Sequence, residues 1–136
     1  MKTALVDTSA IYGMIDRTDK YHLAAQAFGT RWLTEANQFV LLDWVFVEAM
    51  TLLKRHVGAA VAVQTGRFLR RSPLYRWAAV TPDDEREVWA VFQQYADKHW
   101  SYTDCALLVM SRRLKVKQVF SYDAHVAQMP DVRRVG

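Results

Sequence analysis

The chain has 136 residues, of which 51% are apolar and 24% charged, and it carries a formal charge of +4. This length and composition predict one domain over residues 1–136 and exclude a disordered or repetitive chain. The single cysteine, Cys105, excludes an internal disulfide and favours a cytoplasmic protein, and every apolar run is too short to span a membrane.

Short apolar runs alternate along the chain with longer segments of helical spacing. The apolar runs, typical of buried strands, stand at residues 3–7, 39–42, 75–80, 118–120 and 132–135. Helical spacing predicts helices over residues 9–15, 20–36, 44–57, 59–71, 81–98 and 102–114, with Asp43 as the N-cap of the third. This alternation predicts a single-domain α/β fold, a three-layer α/β/α sandwich with a central, mainly parallel sheet of about four to five strands.

Four acidic residues follow predicted strands or stand early in predicted helices. Asp7 ends the first strand, Asp123 follows the fourth, and Asp104 lies in the first turn of the last helix. Glu48 lies about a turn and a half into the helix after the second strand, within the apolar stretch WVFVEAMTLL. Because ligands of a parallel sheet bind beyond the carboxyl ends of its strands, the fold could bring all four carboxylates to one edge.

Three of these acids also have ordinary local interpretations. Asp7 could cap the helix that follows it, Ser101 and Asp104 match a capping box, and Asp123 could close an Asx turn. Neither capping nor turn formation explains Glu48, because a glutamate inside an apolar helix is costly to bury without a partner. That partner is either a buried arginine or lysine, or a cation shared with the other acids.

Four converging carboxylates would repel one another at pH 7 unless some were protonated or a cation lay among them. Oxygen ligands suit Mg²⁺ or Mn²⁺, and no cluster of cysteine or histidine accompanies the acids. The set therefore suggests metal-assisted cleavage of a phosphodiester, in which the cation lowers the pKa of an attacking water. Basic clusters such as Arg70-Arg71 and Arg112-Arg113 either hold a phosphate backbone or are solvated helix ends.

Four segments surround the acidic residues, and they read LVDTSA, VFVEAMTLL, SYTDCALLVMSRRL and VFSYDAHV. In order and spacing they resemble the PIN-domain nucleases, and the small single-domain chain resembles the VapC-type toxins of bacterial toxin–antitoxin pairs. The resemblance covers nearly the whole chain, from Asp7 to Asp123. One departure follows the last acid, where Val126 stands in place of the usual phenylalanine.

The resemblance implies a metal-dependent endoribonuclease that serves as the toxin of a toxin–antitoxin system. It implies Mg²⁺ or Mn²⁺ as cofactor, RNA as substrate, a homodimer, and a cognate antitoxin that covers the acidic pocket. The residues that match the family's catalytic metal ligands are Asp7, Glu48, Asp104 and Asp123, with Ser9 and Ser121 in supporting positions. The alternative is a catalytically inert PIN-like module that binds RNA or protein and whose acids are structural.

Two further residue types receive weaker interpretations. The four histidines are scattered without metal-ligand spacing, and only His125 stands where the family often carries an aspartate or a histidine. Trp100, just before the third motif, is the best candidate for stacking on an RNA base, with core packing as the more ordinary role. Helix 59–71 is a candidate contact for the antitoxin.

Overall fold

The computed structural model describes residues 1–136 and centres on one sheet of five strands. The strands lie in the order β3-β2-β1-β4-β5, and all four neighbouring pairs are parallel. In chain order they are β1 (Thr3–Val6), β2 (Gln38–Leu42), β3 (Tyr75–Ala78), β4 (Gln118–Phe120) and β5 (Arg133–Val135). The prediction of a parallel sheet of four to five strands is confirmed.

Seven helices connect these strands: α1 (Thr8–Ile15), α2 (His22–Thr34), α3 (Asp43–His56), α4 (Ala59–Arg71), α5 (Pro82–Gln94), α6 (Tyr102–Leu114) and α7 (Ala124–Ala127). Parallel strands are joined by right-handed crossovers, which place α1 to α4 on one face of the sheet and the later helices on the other. The contacts agree, since α1 packs on α2 and α3, α3 packs on α4, and α5 packs on α6. The three-layer prediction is therefore confirmed. None of the helices combines the length and apolar character needed to cross a bilayer.

An aromatic cluster fills the space between the sheet and α2. Phe39 of β2 and Phe120 of β4 are fully buried, and their ring centroids lie 5.4 Å apart. Trp32 of α2 stacks on Phe39 at 5.8 Å, and Phe28 packs on Phe120 at 4.6 Å. Burying each phenylalanine contributes roughly 1.5–3 kcal/mol to the free energy of folding, so this cluster fixes α2 against the strands.

The connections out of β1 and β4 position the candidate site. β1 lies in the centre of the sheet, and the chain continues from it to β2 on one side, whereas β4 lies on its other side and continues to β5. A crevice opens where neighbouring strands send their connections in opposite directions. Asp7 directly follows β1, and Asp123 comes three residues after β4, so both lie at this crevice.

The element boundaries differ from the predicted ones by up to four residues, and two differences have a clear cause. Asp43 is the first residue of α3 rather than its N-cap, which is Leu42. Oδ1 of Asp43 accepts hydrogen bonds from the backbone N–H groups of Trp44 and Val80, both at 3.0 Å, so it ties the start of α3 to the chain beyond β3. Helix α7 was not predicted, because four residues are too few for helical spacing to be visible.

Candidate active site

A cleft of about 450 Å³ opens at the carboxyl edge of the sheet. It brings together all four acidic residues that the sequence singled out, although they are spread over more than a hundred positions of the chain. Fourteen residues line it: Asp7, Thr8, Ser9, Tyr12, Asp19, Tyr21, Glu48, Leu52, His99, Ser101, Asp104, Tyr122, Asp123 and His125.

Asp7 is buried at the end of β1 and is held by three hydrogen bonds. Its Oδ1 accepts from the N–H of Thr8 at 2.7 Å, which caps α1. Its Oδ2 accepts from the hydroxyl of Ser121 at 2.7 Å and from that of Ser9 at 3.1 Å. The capping role and the place in the cleft therefore coexist in one side chain.

Ser9 and Ser121 connect Asp7 to the chain segment that carries Asp123. Their hydroxyl oxygens lie 3.1 Å apart. Ser9 Oγ accepts from the N–H of Tyr122 at 3.0 Å, and Ser121 Oγ accepts from the N–H of Asp123 at 3.0 Å. The two serines thus fix the loop after β4 against the end of β1, at the positions where the sequence placed supporting residues.

Asp104 occupies the third position of α6, where it forms the predicted capping box. The hydroxyl of Ser101 accepts from the N–H of Asp104 at 3.0 Å, and Oδ2 of Asp104 accepts from the N–H of Ser101 at 2.8 Å. The side chain of Asp104 is almost fully buried, yet it lines the cleft. Its charge is close enough to those of Asp7 and Asp123 to affect the pKa values in the cleft.

Asp123 is the N-cap of α7 and makes the predicted turn bond, because its Oδ1 accepts from the N–H of His125 at 2.8 Å. The turn places the His125 ring beside the carboxylates of Asp104 and Asp123. Nδ1 of His125 lies 3.4 Å from Oδ2 of Asp104 and 3.5 Å from Oδ1 of Asp123. The sequence spacing did not predict His125 as a site residue, because Asp104 is distant in the chain and the contact with Asp123 depends on the conformation of the turn.

Glu48 lies in the middle of α3 and lines the cleft without a partner. The apolar stretch around Glu48 suggested a buried carboxylate, but its side chain is only half-buried. Thr51, one helical turn further on, is exposed, so this face of α3 borders solvent. No hydrogen bond or ion pair engages the Glu48 carboxylate, so the alternative of a buried arginine or lysine partner is wrong. Both of its carboxylate oxygens are free to bind water or a ligand.

The electrostatics of the cleft disfavour ionised aspartates. Burial raises the pKa of Asp7 to about 6, and the nearby charge of Asp104 adds to this increase against the hydrogen bonds of Ser121, Thr8 and Ser9. Burial also raises the pKa of Asp104, helped by the charge of Asp123. A nearby positive charge would lower both pKa values, since it favours the ionised form.

The donor set of the cleft fits a divalent cation. One ligand atom each from Asp104, Asp123 and His125 lies within 4.8 Å of the others. Asp7 and Glu48 line the same cleft outside this tight group. Carboxylate oxygens are ordinary ligands of Mg²⁺ and Mn²⁺, and imidazole nitrogen is a common ligand of transition-metal ions. Asp7 and Asp104, whose pKa values are raised, would gain most from such an ion.

Sequence reasoning missed several residues at the rim of the cleft. Asp19 follows α1, and Tyr12 lies within it, and neither stands in a motif that would have marked it. Tyr21 stacks on Tyr122 with ring centroids 4.6 Å apart. Trp100 is buried, and its Nε1 donates to Gln128 Oε1 at 3.0 Å, so of its two interpretations core packing is confirmed and stacking on an RNA base is not.

The structure combines a parallel five-stranded sheet with an acidic cleft at the carboxyl edge of its strands. No model of a known protein family matches the chain. The chain is 25% identical over 118 residues to the 23S rRNA-specific endonuclease VapC20 of Mycobacterium tuberculosis, and the match covers 87% of each chain.

The fold is also close to that of a solved relative. The crystal structure of Mycobacterium tuberculosis VapC20, described as a sarcin-ricin loop cleaving toxin, superposes with a TM-score of 0.83. The alignment covers 96% of this chain and 98% of that one, at 24% sequence identity. These comparisons confirm the resemblance to VapC-type PIN-domain toxins that the four sequence motifs indicated.

Proposed function

We propose that the protein is an endoribonuclease that hydrolyses RNA phosphodiester bonds with the help of a divalent cation, Mg²⁺ or Mn²⁺. The observation that carries this proposal is the convergence of Asp7, Asp104 and Asp123 with the unpaired Glu48 in one cleft. Holding these carboxylates together costs stability in the absence of a cation. Such an arrangement is useful to a protein that binds a cation there.

Each side chain has a chemical role in this proposal. Asp104 and Asp123 would hold the cation, with Asp7 beside them, oriented by the hydroxyls of Ser9 and Ser121. When bound, the cation would lower the pKa of an attacking water and stabilise the charge that develops on the leaving oxygen. Glu48, whose two oxygens are unengaged, would orient that water and accept its proton.

Two cationic side chains that contact residues of the cleft support a polyanionic substrate. Nζ of Lys20 lies 5.0 Å from the ring centroid of Tyr21, which lines the cleft. Arg134 donates to the backbone carbonyl oxygen of Asp123 at 3.2 Å, so a second cation contacts the chain segment that carries this acid. Lysine and arginine at these positions would neutralise the phosphates that flank the scissile bond.

The relatives supply a first substrate to test. VapC20 is named as an endonuclease specific for 23S rRNA, so we propose 23S rRNA as the first RNA to offer this protein. We also propose a cognate antitoxin and a homodimer as partners, as expected for a VapC-type toxin. Two exposed apolar side chains on α4, Val63 and Phe68, are suitable contacts for such a protein partner.

The inert alternative has less support than the nuclease. A binding module gains nothing from a buried Asp7 whose pKa is raised towards neutrality, nor from a free Glu48 on the same cleft.

The proposal is tested by incubating the purified protein with bacterial 23S rRNA and mapping the cleaved ends. We expect cleavage with Mg²⁺ or Mn²⁺, no cleavage with EDTA, and none with the Asp7→Asn or Glu48→Gln variant. Full activity in EDTA, or in both variants, would contradict the proposed function.

A further inference from the structure

One nitrogen ligand adjoins the carboxylates that the sequence assigned to the cation. Nδ1 of His125 lies almost equally far from Oδ2 of Asp104, at 3.4 Å, and from Oδ1 of Asp123, at 3.5 Å. Neighbouring ligands of an octahedral ion stand about 3 Å apart, since each lies about 2.1 Å from the metal. The nitrogen therefore lies from each of the two oxygens at nearly the spacing of neighbouring ligands, and one ligand atom from each of the three residues lies within 4.8 Å of the others.

The backbone holds the His125 ring in this position. The N–H of His125 donates to Asp123 Oδ1 at 2.8 Å, which closes the turn that starts α7. Asp104 is fixed independently by its bonds with Ser101. His125 Nε2 has no hydrogen-bond partner in the protein, and the side chain is 35% exposed, so Nε2 can carry the ring proton in water while Nδ1 faces the acids.

We propose that His125 Nδ1 is a ligand of the divalent cation, together with Asp104 and Asp123, and that this nitrogen makes the site prefer Mn²⁺ to Mg²⁺. The inference rests on the proposed cation site and adds to it the identity of a ligand and of the preferred metal. Mg²⁺ is bound almost entirely by oxygen, whereas imidazole binds transition-metal ions well. A site made only of the four carboxylates would have no nitrogen ligand and so no such reason to bind Mn²⁺ more tightly than Mg²⁺.

A different role for His125 is compatible with the same distances. A protonated ring would pair with Asp104 and Asp123 and leave the cleft when the cation enters. The two roles differ in whether a histidine nitrogen is bonded to the metal, which is a spectroscopic question independent of RNA cleavage.

The experiment uses the full chain, loaded with Mn²⁺ alone, and pulsed electron paramagnetic resonance of the bound ion. Protein with ¹⁵N-labelled histidine is compared with unlabelled protein, and the affinities for Mn²⁺ and Mg²⁺ are measured by calorimetry. The variants are His125→Ala, which removes the ligand, and His125→Asn, which offers an amide oxygen near the place of Nδ1. His99→Gln is the matched control, because His99 lines the same cleft without contacting the acids.

We expect a nitrogen coupling to Mn²⁺ that changes with the isotope in the wild type and in His99→Gln, and that is lost in both His125 variants. Mn²⁺ affinity should fall by at least about tenfold in His125→Ala, while Mg²⁺ affinity changes less. His125→Asn should bind both ions with nearly equal affinity.

Bound Mn²⁺ without a histidine coupling in the wild type would overturn this inference, as would equal losses of Mn²⁺ and Mg²⁺ affinity in His125→Ala. If that protein still cleaved RNA, the proposed function would stand without the nitrogen ligand. A clear coupling in a protein that cleaves no RNA would instead support the ligand and contradict the nuclease.

Discussion

Two helices of this protein begin with the same local motif. The N-cap of α5 is Thr81, whose N–H donates to Oδ2 of Asp84 at 2.9 Å and whose hydroxyl accepts from the N–H of Asp84 at 3.1 Å. The N-cap of α6 is Ser101, with the same pair of bonds to Asp104, at 2.8 and 3.0 Å. The two aspartates are 4% and 6% exposed, so neither local geometry nor burial distinguishes them.

The charges beyond the first turn do distinguish them. Nε of Arg113 lies 2.6 Å from Oδ1 of Asp84. Burial alone would raise the pKa of Asp84, but the bonds from Thr81 and the Arg113 guanidinium hold it below its usual value. Asp104 has carboxylates as neighbours instead, and its pKa is raised. The capping box sets where a helix begins, while the surroundings decide whether the buried carboxylate stabilises the fold or is available to a cation.

The largest expected effect separates the two aspartates by activity. Asp104→Asn should lower the rate of RNA cleavage in Mn²⁺ by at least about a hundredfold, the usual loss when a group that stabilises the transition state is removed. Asp84→Asn should retain most of the activity, because the ion pair and hydrogen bonds of the Asp84 side chain are with Arg113 and Thr81, outside the cleft. Comparable losses of activity in the two variants would mean that cleavage depends on the capping boxes of α5 and α6 and not on a cation bound by Asp104.

Asp7→Asn should stabilise the metal-free protein at neutral pH. The pKa of Asp7 in the folded protein, about 6, lies above its ordinary value of 3.8. Protonated Asp7 therefore contributes favourably to the free energy of folding below about pH 4, and this contribution is lost as the pH rises through 6. Thermal unfolding in EDTA should show the variant more stable by about 1–2 kcal/mol at pH 7.5, with the difference shrinking as the pH falls from 6 to 4. A constant difference across this range would mean that Asp7 does not titrate.

Asp84→Asn and Asp104→Asn should change stability in opposite directions. In both variants the asparagine oxygen can still accept the hydrogen bond from the N–H of the capping residue. The difference in stability between the two variants therefore measures the effect of removing the carboxylate charge. Asp84→Asn should lose about 1 kcal/mol through the ion pair with Arg113 and its hydrogen bonds, whereas Asp104→Asn should gain stability in EDTA. The loss from Asp84→Asn should be full at pH 7.5 and smaller at pH 3, because a carboxyl with a lowered pKa loses its contribution as the pH falls through that pKa. Chemical denaturation at pH 7.5 and pH 3 measures both.

Glu48→Gln should have the smallest effect on stability. The carboxylate is half-buried and unpaired, so its removal relieves only weak repulsion from the aspartates across the cleft. A gain of a few tenths of a kcal/mol at low salt, fading at high salt, is the expected result. A marked loss of stability would reveal a partner for Glu48 that the structure does not contain.

The sheet and most helices were predictable because alternating apolar runs and helical spacing are local properties of the sequence. The capping boxes and the turn at Asp123 were predictable for the same reason, since their partners lie two or three residues apart. The strand order placed Asp7 near Asp123, and that could be anticipated only from the general rule for carboxyl edges.

The remaining features depend on distances that the sequence does not encode locally. The His125 ring meets Asp104 across twenty-one positions of the chain, so no spacing rule marks the pair. The half-buried state of Glu48 depends on how α3 sits beside the cleft, and the apolar letters around it suggested deeper burial. Trp100 was open to either role until its bond with Gln128 placed it in the core.

The most direct test of a cation site at the four carboxylates is the thermal unfolding of wild type, Asp84→Asn and Asp104→Asn with millimolar Mn²⁺ or with EDTA. Binding to the folded state raises its stability by about 2.7 kcal/mol at a hundred times the dissociation constant. We expect Mn²⁺ to raise the Tm of wild type and Asp84→Asn by several degrees and to leave Asp104→Asn nearly unchanged. No increase in the wild type, or an equal increase in Asp104→Asn, would contradict a cation held by these acids.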